Sequence, residues 1–254
     1  MTVPSAPGSI EVDFIAPRHL AGSGDPAWIT VPLHRAAGWS HGHDPLMPRV
    51  ILSSPGQKAL LRLEPASDSQ WWNVHHAADA GRPAWYANFG ARTPVETIAG
   101  FIDALTHPHC VPAEPDPYAP LLAAGWLPAR DHGGLTSPDG FAHFEGGGDD
   151  TWTATTTVGE DPENRLWQAR FSDTAPRSLI AGFTRALADP APLARDLLRL
   201  SPAAWDRAQV TFQSVPAGTL ASALERRIQQ LTAPASPRPV TGPRPPKAPP
   251  PPRR

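Results

Sequence analysis

Ten histidines are spread along the 254 residues, and six of them fall in three short groups: His41-Gly42-His43-Asp44, His75-His76 and His107-Pro108-His109-Cys110. Imidazole, thiolate and carboxylate are ligands that zinc prefers. His41, His43, His107, His109 and Cys110 would therefore form a metal centre if the chain brought the groups together. The spacing matches no zinc motif, and His75 and His76 would point to opposite faces of a strand. They read as solvated loop histidines. No metal and no other cofactor is expected.

Other chemistries are also poorly served. Ser53, Ser54 and Ser137 have no Gly-x-Ser-x-Gly elbow around them and sit beside Pro55 and Pro138 in turns. Cys110 adjoins His109, yet sequence neighbours seldom reach nucleophile–base geometry. Gly146-Gly147-Gly148-Asp149-Asp150 is acidic where a phosphate cradle needs bare amides and positive charge. Asp149, Asp150, Glu160, Asp161 and Glu163 lack the order of a calcium loop. No catalytic residue is assigned.

The elements that would position any site are written twice. WYANFGARTPVETIAGFIDALTHP (Trp85 to Pro108) returns 82 residues later as WQARFSDTAPRSLIAGFTRALADP (Trp167 to Pro190), with 11 of 24 residues identical and no gap. Trp85 and Phe89, like Trp167 and Phe171, alternate with more polar residues, so one face of each strand is buried. Helices over about 94–106 and 176–188 follow, with Phe101 and Phe183 on their apolar stripes. Thr93-Pro94-Val95-Glu96 predicts a capping box. Gly100 and Gly182, in mid-helix, predict close approach of each helix to its sheet. Asp189-Pro190-Ala191-Pro192 stands where the third histidine group was, so the second copy has no matching ligand set.

The echo continues upstream. Ser54-Pro55-Gly56 predicts a type II turn and Ser137-Pro138-Asp139-Gly140 a type I turn, each joining two short strands. Ala36-Ala37-Gly38-Trp39 matches Ala123-Ala124-Gly125-Trp126. Ala27 to Leu33 reads as an extra strand, His41 to Pro48 as a long loop, and Ala208 to Ser214 as a last strand. The stripe of Leu220, Ala223, Leu224, Ile228 and Leu231 predicts an amphipathic helix, docked on the body or used for a partner. A copy of about 80 residues buries its surface poorly alone. The expected fold is thus α+β: two homologous antiparallel-sheet-plus-helix repeats packed as a pseudo-two-fold body. The divisions are an N-terminal arm (1–16), repeat 1 (17–110), repeat 2 (111–192), a strand and amphipathic helix (193–232) and a disordered Pro/Arg-rich tail (233–254).

The Gly-Trp lead-in, the Ser-Pro-Asp turn and the Trp-x-Ala-x-Phe strand before a Pro-led helix resemble, together, an actinobacterial (Streptomyces-type) family of unknown function named for a Ser-Pro-Asp-Tyr (SPDY) motif. In that family the unit commonly occurs twice. Gly140 replaces the tyrosine here, and the first copy has only Ser54-Pro55-Gly56. The resemblance implies no reaction, cofactor or catalytic residue.

Charge and composition then narrow the role. The net charge is −2, but residues 233–254 hold five basic and no acidic groups, leaving about −7 on the rest. That disfavours phosphate binding. A single cysteine suits a cytoplasmic location, and no 18-residue apolar run suggests a membrane. The favoured reading is a non-catalytic module that binds an unidentified protein partner. The alternative is a single-stranded nucleic-acid binder of Whirly-like topology, with Trp72, Tyr86 and Trp152 stacking bases and Arg49, Arg62, Arg82 and Arg92 contacting phosphates. An enzyme with a cleft between the repeats and an unknown reaction is the second alternative.

Overall fold

The computed structural model describes residues 8–43, 49–64, 70–107, 115–129, 133–146, 151–159, 164–197 and 200–233. The chain opens with β1 (Ser9–Ala16), a 3-10 turn (Arg18–Leu20) and α1 (Ala27–Arg35). Five strands follow: β2 (Ser40–His43), β3 (Val50–Ser53), β4 (Ala59–Leu63), β5 (Gln70–His76) and β6 (Trp85–Gly90). After them comes α2 (Val95–Thr106). A short α3 (Ala119–Ala123) leads into five more: β7 (Leu127–Pro128), β8 (Leu135–Thr136), β9 (Ala142–Gly146), β10 (Thr151–Thr157) and β11 (Arg165–Ser172). Then comes α4 (Arg177–Ala188). The end comprises β12 (Leu193–Arg195), α5 (Pro202–Trp205), β13 (Gln209–Pro216) and α6 (Gly218–Thr232).

Ten strands form one antiparallel sheet in the order β2-β3-β4-β5-β6-β11-β10-β9-β8-β7. From the central β6–β11 pair outward, each half runs from its last strand to its first. In that pair Ala87 opposes Phe171 and Phe89 opposes Ala169, with Asn88 and Arg170 between them. Helices cover one face of the sheet, and alternation sends Trp85, Ala87 and Phe89, with Trp167, Ala169 and Phe171, toward that side. Phe89, Phe101, Phe171 and Phe183 are wholly buried, with ring centroids 5.2 to 5.8 Å apart. Pairs of this kind contribute ~0.5–1.5 kcal/mol each beyond the area they bury. Trp85 and Trp167 are buried beside them.

The mid-helix glycines serve a contact between helices, not between helix and sheet. A Cβ on Gly100 would lie 2.5 Å from the carbonyl oxygen of Gly182, and a Cβ on Gly182 would lie 2.5 Å from that of Gly100. Only glycine lets α2 and α4 cross so closely.

A second, three-stranded sheet, β12-β1-β13, carries its own small core of Ile15, Ala21, Leu193, Leu200 and Ala204. It seats β1 against β13. The amphipathic helix α6 is docked on the first half: Arg227 donates to both carboxylate oxygens of Asp103 (3.0 and 2.8 Å), and Ile228 is buried.

Several expectations need correction. Ala27 to Leu33 is helical, not extended. The β-branched Ile29, Thr30 and Val31 suggest a strand, but Ile29 and Leu33 are buried four residues apart, and Asp25 accepts the Ala27 amide at 2.9 Å. The capping box does not form. Pro94 is the N-cap, no side chain caps the helix, and Glu96 instead takes Arg195 in a two-point ion pair (2.9 and 2.5 Å). His41 to His43 belong to β2; 44–48 lie outside the described residues. Gly56 has no positive φ, so the first turn is not type II. Gln57, one position later, takes φ 54.

Candidate functional site

The two Ser-Pro turns share a frame. In the first, the Gln57 amide donates to Ser54 O (2.8 Å) and the Ala59 amide to Ser54 Oγ (3.0 Å). In the second, Gly140 N–H donates to Ser137 O (2.9 Å) and Ala142 N–H to Ser137 Oγ (2.9 Å). The serine side chain thus pins the strand that leaves each turn. Pro55 and Pro138 occupy the second position.

The third position separates them: Gly56 in one, Asp139 in the other. Asp139 Oδ1 accepts from Ser137 Oγ (2.5 Å) and from the Phe141 amide (3.2 Å). Oδ2 meets Nε2 of His19 at 2.8 Å. Burial pushes the Asp139 carboxyl up. The hydrogen bond and charge of His19, the Ser137 hydroxyl and the Phe141 amide outweigh it and hold the carboxyl at about 2. An ionised carboxylate only accepts, so Nε2 of His19 carries the proton.

His19 is buried and held from behind. Its carbonyl accepts the indole N–H of Trp167 (2.9 Å), and its ring meets the edge of Trp126 at 6.4 Å. Its neighbour Arg18 donates to Ala186 O, Ala191 O and Asp189, tying the 3-10 turn to the end of α4. Serine, aspartate and histidine are all present, but the carboxylate stands between the other two. Ser137 gives its proton to Asp139, not to an imidazole, so this trio fixes a turn and does not activate a hydroxyl.

Beside this trio opens a cleft of about 820 Å³. Its walls are Pro120, Ala123, Ala124 and Trp126 on one side and Leu187, Ala188 and Pro190 on another. Pro17, His19 and Asp139 form the third side, and Arg185 stands at the rim. The volume suits a small ligand or several side chains of a partner.

The remaining sequence-derived residues do not converge there or on one another. Trp72 is 1% exposed on the helix-covered face of the sheet, so it cannot stack a base, whereas Tyr86 is 37% exposed on the open face. Trp152 is also on the covered side, packed against Tyr118 and Phe144. Arg49 and Arg62 both reach Glu64 at 3.3 Å. Arg92 donates to Ser201, and Arg82 lies in an exposed turn bridged to Asp79. His107 holds Leu231 O at 3.0 Å and so seats α6; His76 stacks on Trp85 at 5.2 Å. His109, Cys110 and the acidic residues 149, 150, 160, 161 and 163 lie outside the described residues. Among those described, no group of three or more His, Cys, Asp or Glu could hold a metal ion.

Sequence reading missed His19 and Arg185. His19 lies outside the repeated stretches and carries no signal of its own. Arg185 could have been found by aligning the helices, where it replaces Asp103.

By architecture the molecule is an α+β protein whose antiparallel sheet carries helices on one face. A family model for SPDY, a domain of unknown function (DUF317), matches residues 53–111 and 122–193, a little over half of the chain. The chain belongs to this family and carries its domain in two segments. No curated protein and no solved structure matches it. No described helix is long and apolar enough to cross a membrane.

Proposed function

We propose that the chain is a non-catalytic interaction module that holds a protein partner in the cleft beside Pro138 and Trp126. Its two family segments act as copies of one unit about a pseudo-two-fold axis between β6 and β11. The cleft itself carries the reading. It is about 820 Å³ in volume and walled largely by alanine, proline, leucine and tryptophan, and the polar groups on its third side are already committed to one another. Such a surface offers area and shape, and no group on it is poised to attack a substrate. The reciprocal register at Ala87–Phe171 and Phe89–Ala169, and the reciprocal glycine contact, support the internal symmetry. The nucleic-acid alternative is weakened by the ion pairs of Arg49 and Arg62 and by buried Trp72.

The test is photo-crosslinking in the native host, with a photoreactive residue at Ala124 in the cleft or at Thr155 on the open sheet face. The expected result is a polypeptide adduct from position 124 and none from 155. Adducts only from 155, or nucleic acid as the crosslinked species, would overturn the proposal.

A further inference from the structure

The same corner of the fold occurs in both halves with different contents. It lies between the end of the long helix and the Ala-Ala-Gly-Trp segment. Helices α2 and α4 have 12 residues each and start 82 positions apart. Asp103, Thr106 and His107 therefore correspond to Arg185, Ala188 and Asp189. Ala36 and Ala37 correspond to Ala123 and Ala124. All ten line a pocket, the first-half set in one and the second-half set in the other.

In the first half α6 fills the corner. Arg227 makes its two-point bond to Asp103, reaches Trp28 O at 3.0 Å and lies 5.2 Å from the Trp28 ring. Ile228 is buried, and His107 holds the last turn through Leu231 O. About 10 Å³ of free space remains between α6 and the Ala36–Ala37 end of α1, while a groove of about 630 Å³ runs along the other side of Asp103 and Arg227 toward α4. In the second half only the short 3-10 turn reaches the corner among the described residues, through Arg18 and His19, and about 820 Å³ stays open. The charge at the pivot is also reversed. Arg185 is exposed and has no hydrogen-bond or ion-pair partner among the described residues.

Resting on the module reading above, we infer that the open cleft takes an amphipathic helix of a partner protein, seated as α6 is seated on the first half, with an acidic side chain against Arg185. The first half supplies the mode: an apolar stripe into the corner and one charged pair at the pivot. The reversed pivot excludes a second copy's α6, because that helix would set Arg227 against Arg185, and like charges across an interface are strongly disfavoured. Asp189 does not cancel Arg185, since Arg18 already occupies it at 2.7 Å.

The probe is a labelled peptide of residues 218–232 carrying Arg227→Glu, compared with the same peptide of native sequence. Both are titrated by fluorescence anisotropy against the full chain. Each peptide loses the same folding entropy on binding, so their ratio isolates the pivot. The Arg227→Glu peptide is expected to bind at least tenfold tighter than the native one. Arg185→Glu in the chain reverses that order, and Arg185→Gln abolishes it. Arg185 is exposed, and circular dichroism of each variant confirms a retained fold before titration. Equal binding of the two peptides, no binding of either, or a preference unchanged by Arg185→Glu would overturn the inference. If position 124 still crosslinks a protein in that case, the module stands and only its helical, acidic partner is wrong. If the crosslink is lost as well, both fall.

Discussion

In the first half, Gln57 closes its Ser-Pro turn at φ 54, Gly56 contributes no side chain, and α6 packs the corner beyond. In the second, Gly140 closes the turn at φ 79, Asp139 reaches His19, and the corner is open. One scaffold thus carries a corner packed by α6 and one that no long helix covers among the described residues. The serine and proline that both turns keep serve the frame. The residues that differ, Gly56 against Asp139 and Asp103 against Arg185, set the side chains and charge that each half presents.

The largest effect should come from the point where the halves are most alike. Gly100→Ala and Gly182→Ala each force a methyl to 2.5 Å from a backbone oxygen. Each is expected to cost about 3 kcal/mol in urea denaturation. The double variant should cost less than the sum, since one forced separation makes room for the other. Additive or negligible losses would show that the helices do not share one crossing.

Asp139→Asn is expected to lose about 1–2 kcal/mol at neutral pH. The sign follows from a carboxyl held at about 2 against an ordinary 3.8. Its contribution is full above pH 4 and disappears as pH falls toward 2. The variant should therefore show a shallower acid limb than the native chain in denaturation at pH 7, 4 and 2.5. Gly56→Asp, the matching change in the first half, should stay within about 0.5 kcal/mol of the native chain, because a Cβ there meets no atom within 4 Å. An equal acid dependence in both variants would contradict the difference between the turns.

The smallest effect belongs to the closing residue. Gln57→Gly should gain about 0.5–1 kcal/mol in thermal or urea melting, and Gly140→Gln should lose about as much, because a side chain is strained at positive φ. Both changes having the same sign would break the correspondence of the turns.

Much of this scaffold is written locally. The Trp-x-Ala-x-Phe alternation marks the central strands because sheet side chains alternate, and Ile98, Phe101 and Ile102 mark α2 because helical neighbours recur every three or four residues. Ala27 to Leu33 misleads because its β-branched residues favour strands, while its helix is decided by burial of Ile29 and Leu33. Glu96 misleads because the capping pattern is local, whereas its partner Arg195 lies 99 residues away. The cleft is the least legible part. His19 comes to Asp139 across 120 residues, and Arg18 to Asp189 across 171, from a segment that precedes both family-matched stretches. No periodicity records such meetings.

The four phenylalanines at the centre have a further consequence. Phe89 and Phe101 come from one half, Phe171 and Phe183 from the other, and each ring's nearest aromatic neighbours include rings across the seam. Loosening either half strips the other of its packing. The body is accordingly expected to melt in one event rather than two, and strain placed at the second half's corner would be borne by the entire molecule.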